Sequence, residues 1–152
     1  MPESWTPGSE LPRLVRTMTA ARMRWYSDAL KTVTAGATEP LIAGPNIHTD
    51  DAVARANGLR GRVADGMVST NWISSFLADA FGEQYLEGGS LRTRYVRPIY
   101  EDDRIEVVVR ITGRETTARG DQLVAEVACV KSDGEVATAG EARVMAGPGL
   151  LG

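Results

Sequence analysis

The sequence predicts an α+β domain in which an antiparallel sheet curls around one long apolar helix. Three observations carry this expectation. The stretch "GMVSTNWISSFLADAFG" has Asp65 placed as a cap and Gly82 as a stop, so a helix is expected from about Met67 to Phe81. Its residues Val68, Trp72, Ile73, Phe76, Leu77 and Ala80 cover a sector too wide for a surface helix. After Gly88-Gly89 the texture changes to strand signals separated by turn residues, and helices first with strands after is an α+β pattern.

Taken in order, residues 1–10 contain Pro, Ser and Gly and read as an irregular arm. "LPRLVRTMT" reads as a short first strand. Thr19 is an N-cap for "AARMRWYSDALKTV", where Met23, Tyr26 and Leu30 share one face. "TAGATEPLIAGPN" is a loop broken by Gly and Pro. "HTDDAVARANG" reads as a short helix capped by Thr49 or Asp50, with Val53 and Ala56 inward and Gly58 past its end. The long helix follows. "SLRTRYVRPIY", "DRIEVVVRITGRE", "DQLVAEVACVKSD" and "EVATAGEARVMA" then read as strands of one meander. Asp133-Gly134 is a two-residue hairpin signal. The tail "AGPGLLG" reads as a frayed terminus. No repeat or linker interrupts the chain, so one domain is expected.

The chain has 152 residues, enough for a sizeable core, with 43% hydrophobic and 24% charged residues. The formal net charge of -3 argues against a nucleic-acid partner, because such proteins present a basic face. "MPESWTPGSELP" lacks the basic and apolar regions of a secretory signal, and no apolar run reaches a membrane span. The expectation is a cytoplasmic protein with no membrane partner. Cys129 is the single cysteine and lies in an apolar strand signal, so it reads as a buried, inert thiol. One Cys and one His cannot form a Cys/His zinc site within a chain, and no metal is expected.

The segment "NIHTDDAVA", followed by "GLRGRVADGM" opening the long helix and then by "RYVRPIYEDDRIEV", resembles the MaoC-like, hotdog-fold dehydratase/hydratase family, relatives of the (R)-specific enoyl-CoA hydratases. That family's pattern runs roughly Gly-Asp-x-Asn-Pro-x-His-x-Asp, then Ala-His-Gly-Met, then a strand ending in Pro and a Gly-Asp turn. The resemblance spans about residues 14–146. It implies water addition to, or removal from, the 2,3 bond of an acyl thioester carried by CoA or a carrier protein. A carboxylate and a histidine hold the water and move protons, and N–H groups at the helix start polarise the thioester carbonyl. It also implies no metal or redox cofactor, and a homodimer or larger even-numbered homo-oligomer.

Carried over residue by residue, His48, the only histidine, matches the family histidine. Gly66 matches the oxyanion-hole glycine, with Met67 beside it. The first N–H groups of a helix lack intrahelical partners, and a glycine leaves room for close approach. Ser74, eight residues past Gly66, matches a serine at the site in the hydratases, and Asn71 lies one turn earlier on that face. Asp50 matches the acid that follows the family histidine and caps the short helix. Arg92, Arg94 and Arg97 lie along the next strand signal. They form a solvated face, or Arg94 meets the phosphates of CoA or of a carrier arm.

One departure bears on mechanism. The family's aspartate, five residues before the histidine, is Ala43 here, or Gly44 if Asn46 is aligned with the motif asparagine; neither is a base. The Ala-His-Gly histidine is replaced by Asp65. Of the acids that remain nearby, Glu39, Asp50, Asp51 and Asp65, the last sits next to the oxyanion position. It is the candidate substitute as well as the N-cap. The leading expectation is a hydratase or dehydratase with catalytic residues His48, Asp65, Gly66 and Ser74 and substrate-binding residues Met67, Asn71 and Arg94. The alternatives are a pocket repurposed for thioester hydrolysis or cyclisation, and a non-catalytic subunit that binds an acyl group.

Overall fold

The computed structural model of the chain describes residues 5–33 and 44–147. Ala43, Glu39, most of the expected loop before His48, the side chain of Leu30 and the tail from residue 148 lie outside that part. The elements are strand β1 (Leu14–Thr17), helices α1 (Ala20–Val33), α2 (Asp51–Ala56), α3 (Gly66–Phe81) and α4 (Glu83–Leu86), then strands β2 (Ser90–Tyr95), β3 (Arg104–Thr117), β4 (Gly120–Lys131) and β5 (Val136–Met145). No helix among the described residues is long and apolar enough to cross a membrane.

The strands form one antiparallel sheet in the order β1-β3-β4-β5-β2. This corrects the expected simple meander. Only β3, β4 and β5 run as successive hairpins, and β2 lies at the far edge against β5. The cause is the connection after β2. The strand stops at Tyr95, the Val96 and Arg97 N–H groups both turn to the Ala137 carbonyl, and Pro98 has no N–H to continue the ladder. The chain then crosses the head of α3, where Ala64 N–H donates to the Ile99 carbonyl at 2.8 Å. β2 can lie close to β5 only because position 140 is glycine: a Cβ there would stand 2.1 Å from the Arg92 carbonyl oxygen.

Alternation fixes which face is buried. Ile105, Val107, Val109 and Ile111 point inward from β3, as do Leu123, Ala125, Val127 and Cys129 from β4. They close on Val68, Ile73, Leu77 and Phe81 of α3. Trp72, Phe76 and Ala80, expected in the apolar sector, are half-buried at its margin. The described part of the amino-terminal arm is irregular but tied down. Trp5 is buried against Phe81 with ring centroids 5.7 Å apart, and Gly8 and Leu11 donate to the Ile111 and Val109 carbonyls.

The caps follow local chemistry. Thr19 Oγ1 accepts from Arg22 N–H at 3.2 Å. Asp50 accepts from the N–H groups of Ala52 and Val53, so it, rather than Thr49, caps α2. Within α2 the buried residue is Ala54, and Ala56 is exposed, contrary to expectation. The helix is under two turns long, and Gly58 at φ +81° folds the chain back so that Leu59 N–H meets the Ala54 carbonyl. The short α4 had no sequence signal of its own; it continues from Gly82.

Cys129 is fully buried, and burial pushes its thiol up to about 12. A neutral thiol is therefore favoured in the folded state. The stabilisation is full below the unfolded thiol's value near 9 and is lost as pH rises from there towards about 12. A thiol-reactive chromophore at pH 8 should label the native protein at the rate of global unfolding and the denatured protein at once; rapid native labelling would contradict this burial.

Candidate active site

His48 is set by its neighbours in the chain. Asn46 Oδ1 accepts the His48 N–H at 2.8 Å, an Asx turn closed by Asp50 N–H to the Asn46 carbonyl at 2.9 Å. The imidazole Nδ1 lies 2.9 Å from the Val63 carbonyl. A carbonyl oxygen only accepts, so Nδ1 carries a proton, and in the neutral form of the ring Nε2 is then bare. Val63 is itself held from both sides. Its N–H donates to the Ile47 carbonyl at 3.0 Å, and it bridges to Tyr100 beyond β2.

Asp65 stands across from the bare nitrogen. Its Oδ2 is 3.9 Å from His48 Nε2, while Oδ1 accepts the Met67 N–H at 2.9 Å as the helix cap. One carboxylate thus caps α3 with one oxygen and faces the histidine with the other. The separation is too long for a direct hydrogen bond and near the span of a single water. Both side chains are about one quarter exposed, so water reaches the pair. At the helix head, Val68 N–H is taken by the Asp65 carbonyl, and the Gly66 N–H has no hydrogen-bond partner among the described residues.

Gly66 answers to a packing demand as well. A Cβ there would lie 2.7 Å from three ring carbons of Tyr95. The space that glycine leaves is filled by that ring. Tyr95, Asp65, Gly66, Val96, Pro98 and Thr138 line a cavity of about 280 Å3 at the head of α3. Beside it lies a buried hydroxyl pair: Ser69 Oγ donates to the Gly66 carbonyl at 2.7 Å and sits 2.7 Å from Thr138 Oγ1. Ser69 has one proton, so Thr138 donates to Ser69. On α1, burial first, then the neighbouring Asp65 and Tyr95, push the Tyr26 phenol above its ordinary value.

The structure therefore brings together His48, Asp65, Gly66 and Met67, whose sulfur accepts from the Tyr95 hydroxyl at 3.1 Å. It sets three other candidates apart. Ser74 lies two turns down α3, half-buried, with its hydroxyl 2.9 Å from that of Tyr85. Asn71 is exposed. Arg94 lines a larger cavity of about 770 Å3, with Arg92, Arg110, Glu126 and Glu141, on the sheet face turned away from α3. Sequence reasoning missed Val63, Tyr95, Ser69 and Thr138. Val63 acts through a backbone atom, for which side-chain identity carries no signal. Tyr95 shows only as one more residue of a strand. Among the described residues no three His, Cys, Asp or Glu side chains are grouped to hold a metal ion.

An antiparallel sheet wrapped on one buried helix, with a polar pair at that helix's amino end, is the hotdog fold. The MaoC like domain matches residues 45–136, and the chain belongs to that family. Solved structures agree on the fold. The R-hydratase PhaJ1 from Pseudomonas aeruginosa, in its unliganded form, superposes with a TM-score of 0.67 at 19% identity, covering 93% of this chain and 81% of that one. The (R)-hydratase of A. caviae involved in PHA biosynthesis gives 0.68 at 19% identity over 95% and 98%. The HadBC 3R-hydroxyacyl-ACP dehydratase complex of Mycobacterium tuberculosis gives 0.68 at 15% identity over 95% and 99%. No curated protein matches the chain.

Proposed function

We propose that this protein is an acyl-thioester hydratase or dehydratase in which His48 and Asp65 form the acid/base pair. The observation that carries the reading is two facing acceptors, Nε2 and Oδ2, 3.9 Å apart, beside the Gly66 N–H at the head of α3, which has no partner among the described residues. A water between them donates one hydrogen to each and turns its lone pairs outward, towards C3 of a 2-enoyl thioester. As oxygen bonds to C3, His48 Nε2 takes one proton, and the imidazolium returns a proton to C2. Water is thus divided into a C3 hydroxyl and a C2 hydrogen. The Asp65 carboxylate holds the remaining O–H and steadies the transient imidazolium. The Gly66 N–H and the helix macrodipole favour the charge that develops on the thioester oxygen. In this reading Asp65 does the work of the aspartate absent near Ala43 and Gly44. Ser74, Asn71 and Arg94 lie further from the chemistry and carry no step of it in this reading.

The test is turnover of crotonyl-CoA and longer 2-enoyl thioesters, followed by loss of the enoyl absorbance, with 3-hydroxyacyl thioesters for the reverse direction. The expected result is hydration of at least one of them. An enzyme inert on all would transfer the reading to a repurposed or purely acyl-binding pocket. The same reading includes a homo-oligomer. Among the described residues no further strand pairs with the outer edges of β1 and β2, and relatives of the same fold were solved as ChsH1-ChsH2 and HadBC complexes. Light scattering on the purified protein should give an even multiple of the chain mass, and a monomer would remove this part.

A further inference from the structure

Tyr95 is half exposed, yet its ring is fixed at several points. The ring lies against the backbone of Gly66, where a Cβ would stand 2.7 Å from it. The hydroxyl donates to Met67 Sδ at 3.1 Å and lies 3.0 Å from Thr70 Oγ1, which lies 2.8 Å from Thr93 Oγ1. Each hydroxyl has one proton, so the bonds run in one direction: Thr93 to Thr70, Thr70 to Tyr95, Tyr95 to the sulfur. Two of these partners are on the first turns of α3 and one is on β2. The ring is thereby held as a wall of the cavity that Asp65 and Gly66 also line. That cavity, about 280 Å3, lies just under the roughly 300–1,000 Å3 of drug-sized ligand pockets.

We infer that Tyr95 is the residue that sets the size of the acyl group admitted at the head of α3, and that with its ring pinned in place the group is a short, unbranched chain. The inference rests on the acyl-thioester reading above and names the substrate class within it. Removing the ring opens the wall towards solvent and β2, where a longer chain gains room. Removing the hydroxyl alone leaves the wall standing but unpinned.

The experiment compares wild type with Tyr95→Phe, Tyr95→Leu and Tyr95→Ala on 2-enoyl-CoA substrates from butenoyl to dodecenoyl, reading kcat and KM separately. Wild type should favour the short end. Tyr95→Leu and Tyr95→Ala should shift the ratio of long-chain to short-chain kcat/KM by about tenfold or more, mainly through KM, and Tyr95→Phe should keep the short-chain preference. Leu retains an apolar side chain against Gly66, so the test stands if the Ala variant does not fold. A second measurement needs no turnover: butyryl-CoA and dodecanoyl-CoA, which cannot be hydrated, are titrated while the ring proton signal of His48, the only histidine, is followed by NMR. If no variant hydrates any substrate but these thioesters shift the His48 signal with a length preference that Tyr95→Leu reverses, the hydratase reading fails and the role of Tyr95 stands. An unchanged length profile in folded Tyr95→Leu, or no response of His48 to either thioester, overturns it.

Discussion

His48→Ala is expected to lower turnover by about 10²–10⁴-fold, the range typical of losing a positioned general acid/base, while the fold persists. Among the described residues the ring makes one hydrogen bond, from Nδ1 to the Val63 carbonyl. Because the side chain is one quarter exposed, water can take over that bond, and the cost to stability should stay near the roughly 0.5–1.5 kcal/mol of a single net hydrogen bond. The segment itself is held by Asn46 and by the Ile47–Val63 backbone bond, neither of which needs the imidazole. The measurements are kcat/KM on the best enoyl thioester and the thermal midpoint of unfolding. A variant with wild-type turnover would make His48 a structural residue and remove the centre of the hydratase reading.

Asp65→Asn separates the two jobs of one carboxylate. Asn caps helices about as well as Asp, and its side-chain oxygen can keep the Met67 N–H, so stability should change by no more than a few tenths of a kcal/mol. The atom facing His48 then becomes an amide donor. It points N–H at the bare Nε2, competes with the water for that nitrogen, and brings no negative charge to the imidazolium. Turnover should fall by roughly 10²-fold or more. Equal activity in wild type and variant would keep the hydratase but take Asp65 out of its mechanism. Ala43→Asp completes the comparison by returning a carboxylate to the family's own position. If wild type is inert and Ala43→Asp gains hydration, the natural protein is not a hydratase.

Both variants probe residues that stand out in the sequence for different reasons. His48 and Gly66 are legible because their spacing and neighbours resemble the family motif, and Asp65 because an acid replaces the motif histidine. What could not be read is whether Asp65 faces His48. They are seventeen positions apart, and the gap of 3.9 Å depends on Val63 being held at once by Ile47 and by the Ile99–Tyr100 segment. Ser74 and Arg94 show the converse. Ser74's match to a family serine and Arg94's place in a run of arginines suggest a site role, but helix rise carries Ser74 two turns away, and strand alternation turns Arg94 to the other face of the sheet.

By itself the sequence determined whatever is settled within a few residues of the chain. Asp65 and Gly82 bound α3, and the apolar sector between them requires burial. The alternation in β3 and β4 sets their inward faces, and Asp133-Gly134 does mark the last hairpin, though not as the expected two-residue turn: Lys131 N–H donates to the Glu135 carbonyl at 2.8 Å around a three-residue loop, with Gly134 at φ +88°. Propensity, capping and period are local quantities, so one segment at a time suffices to read them. Only the tertiary structure decided that β2 crosses to pair with β5, that Val63's carbonyl chooses the His48 tautomer, and that the Tyr95 ring fills the space left by Gly66. Each of these joins atoms distant in the chain, two of them through backbone groups that every residue carries alike. Such contacts exist only once the apolar faces of α3 and the sheet have closed on each other and fixed which segments meet.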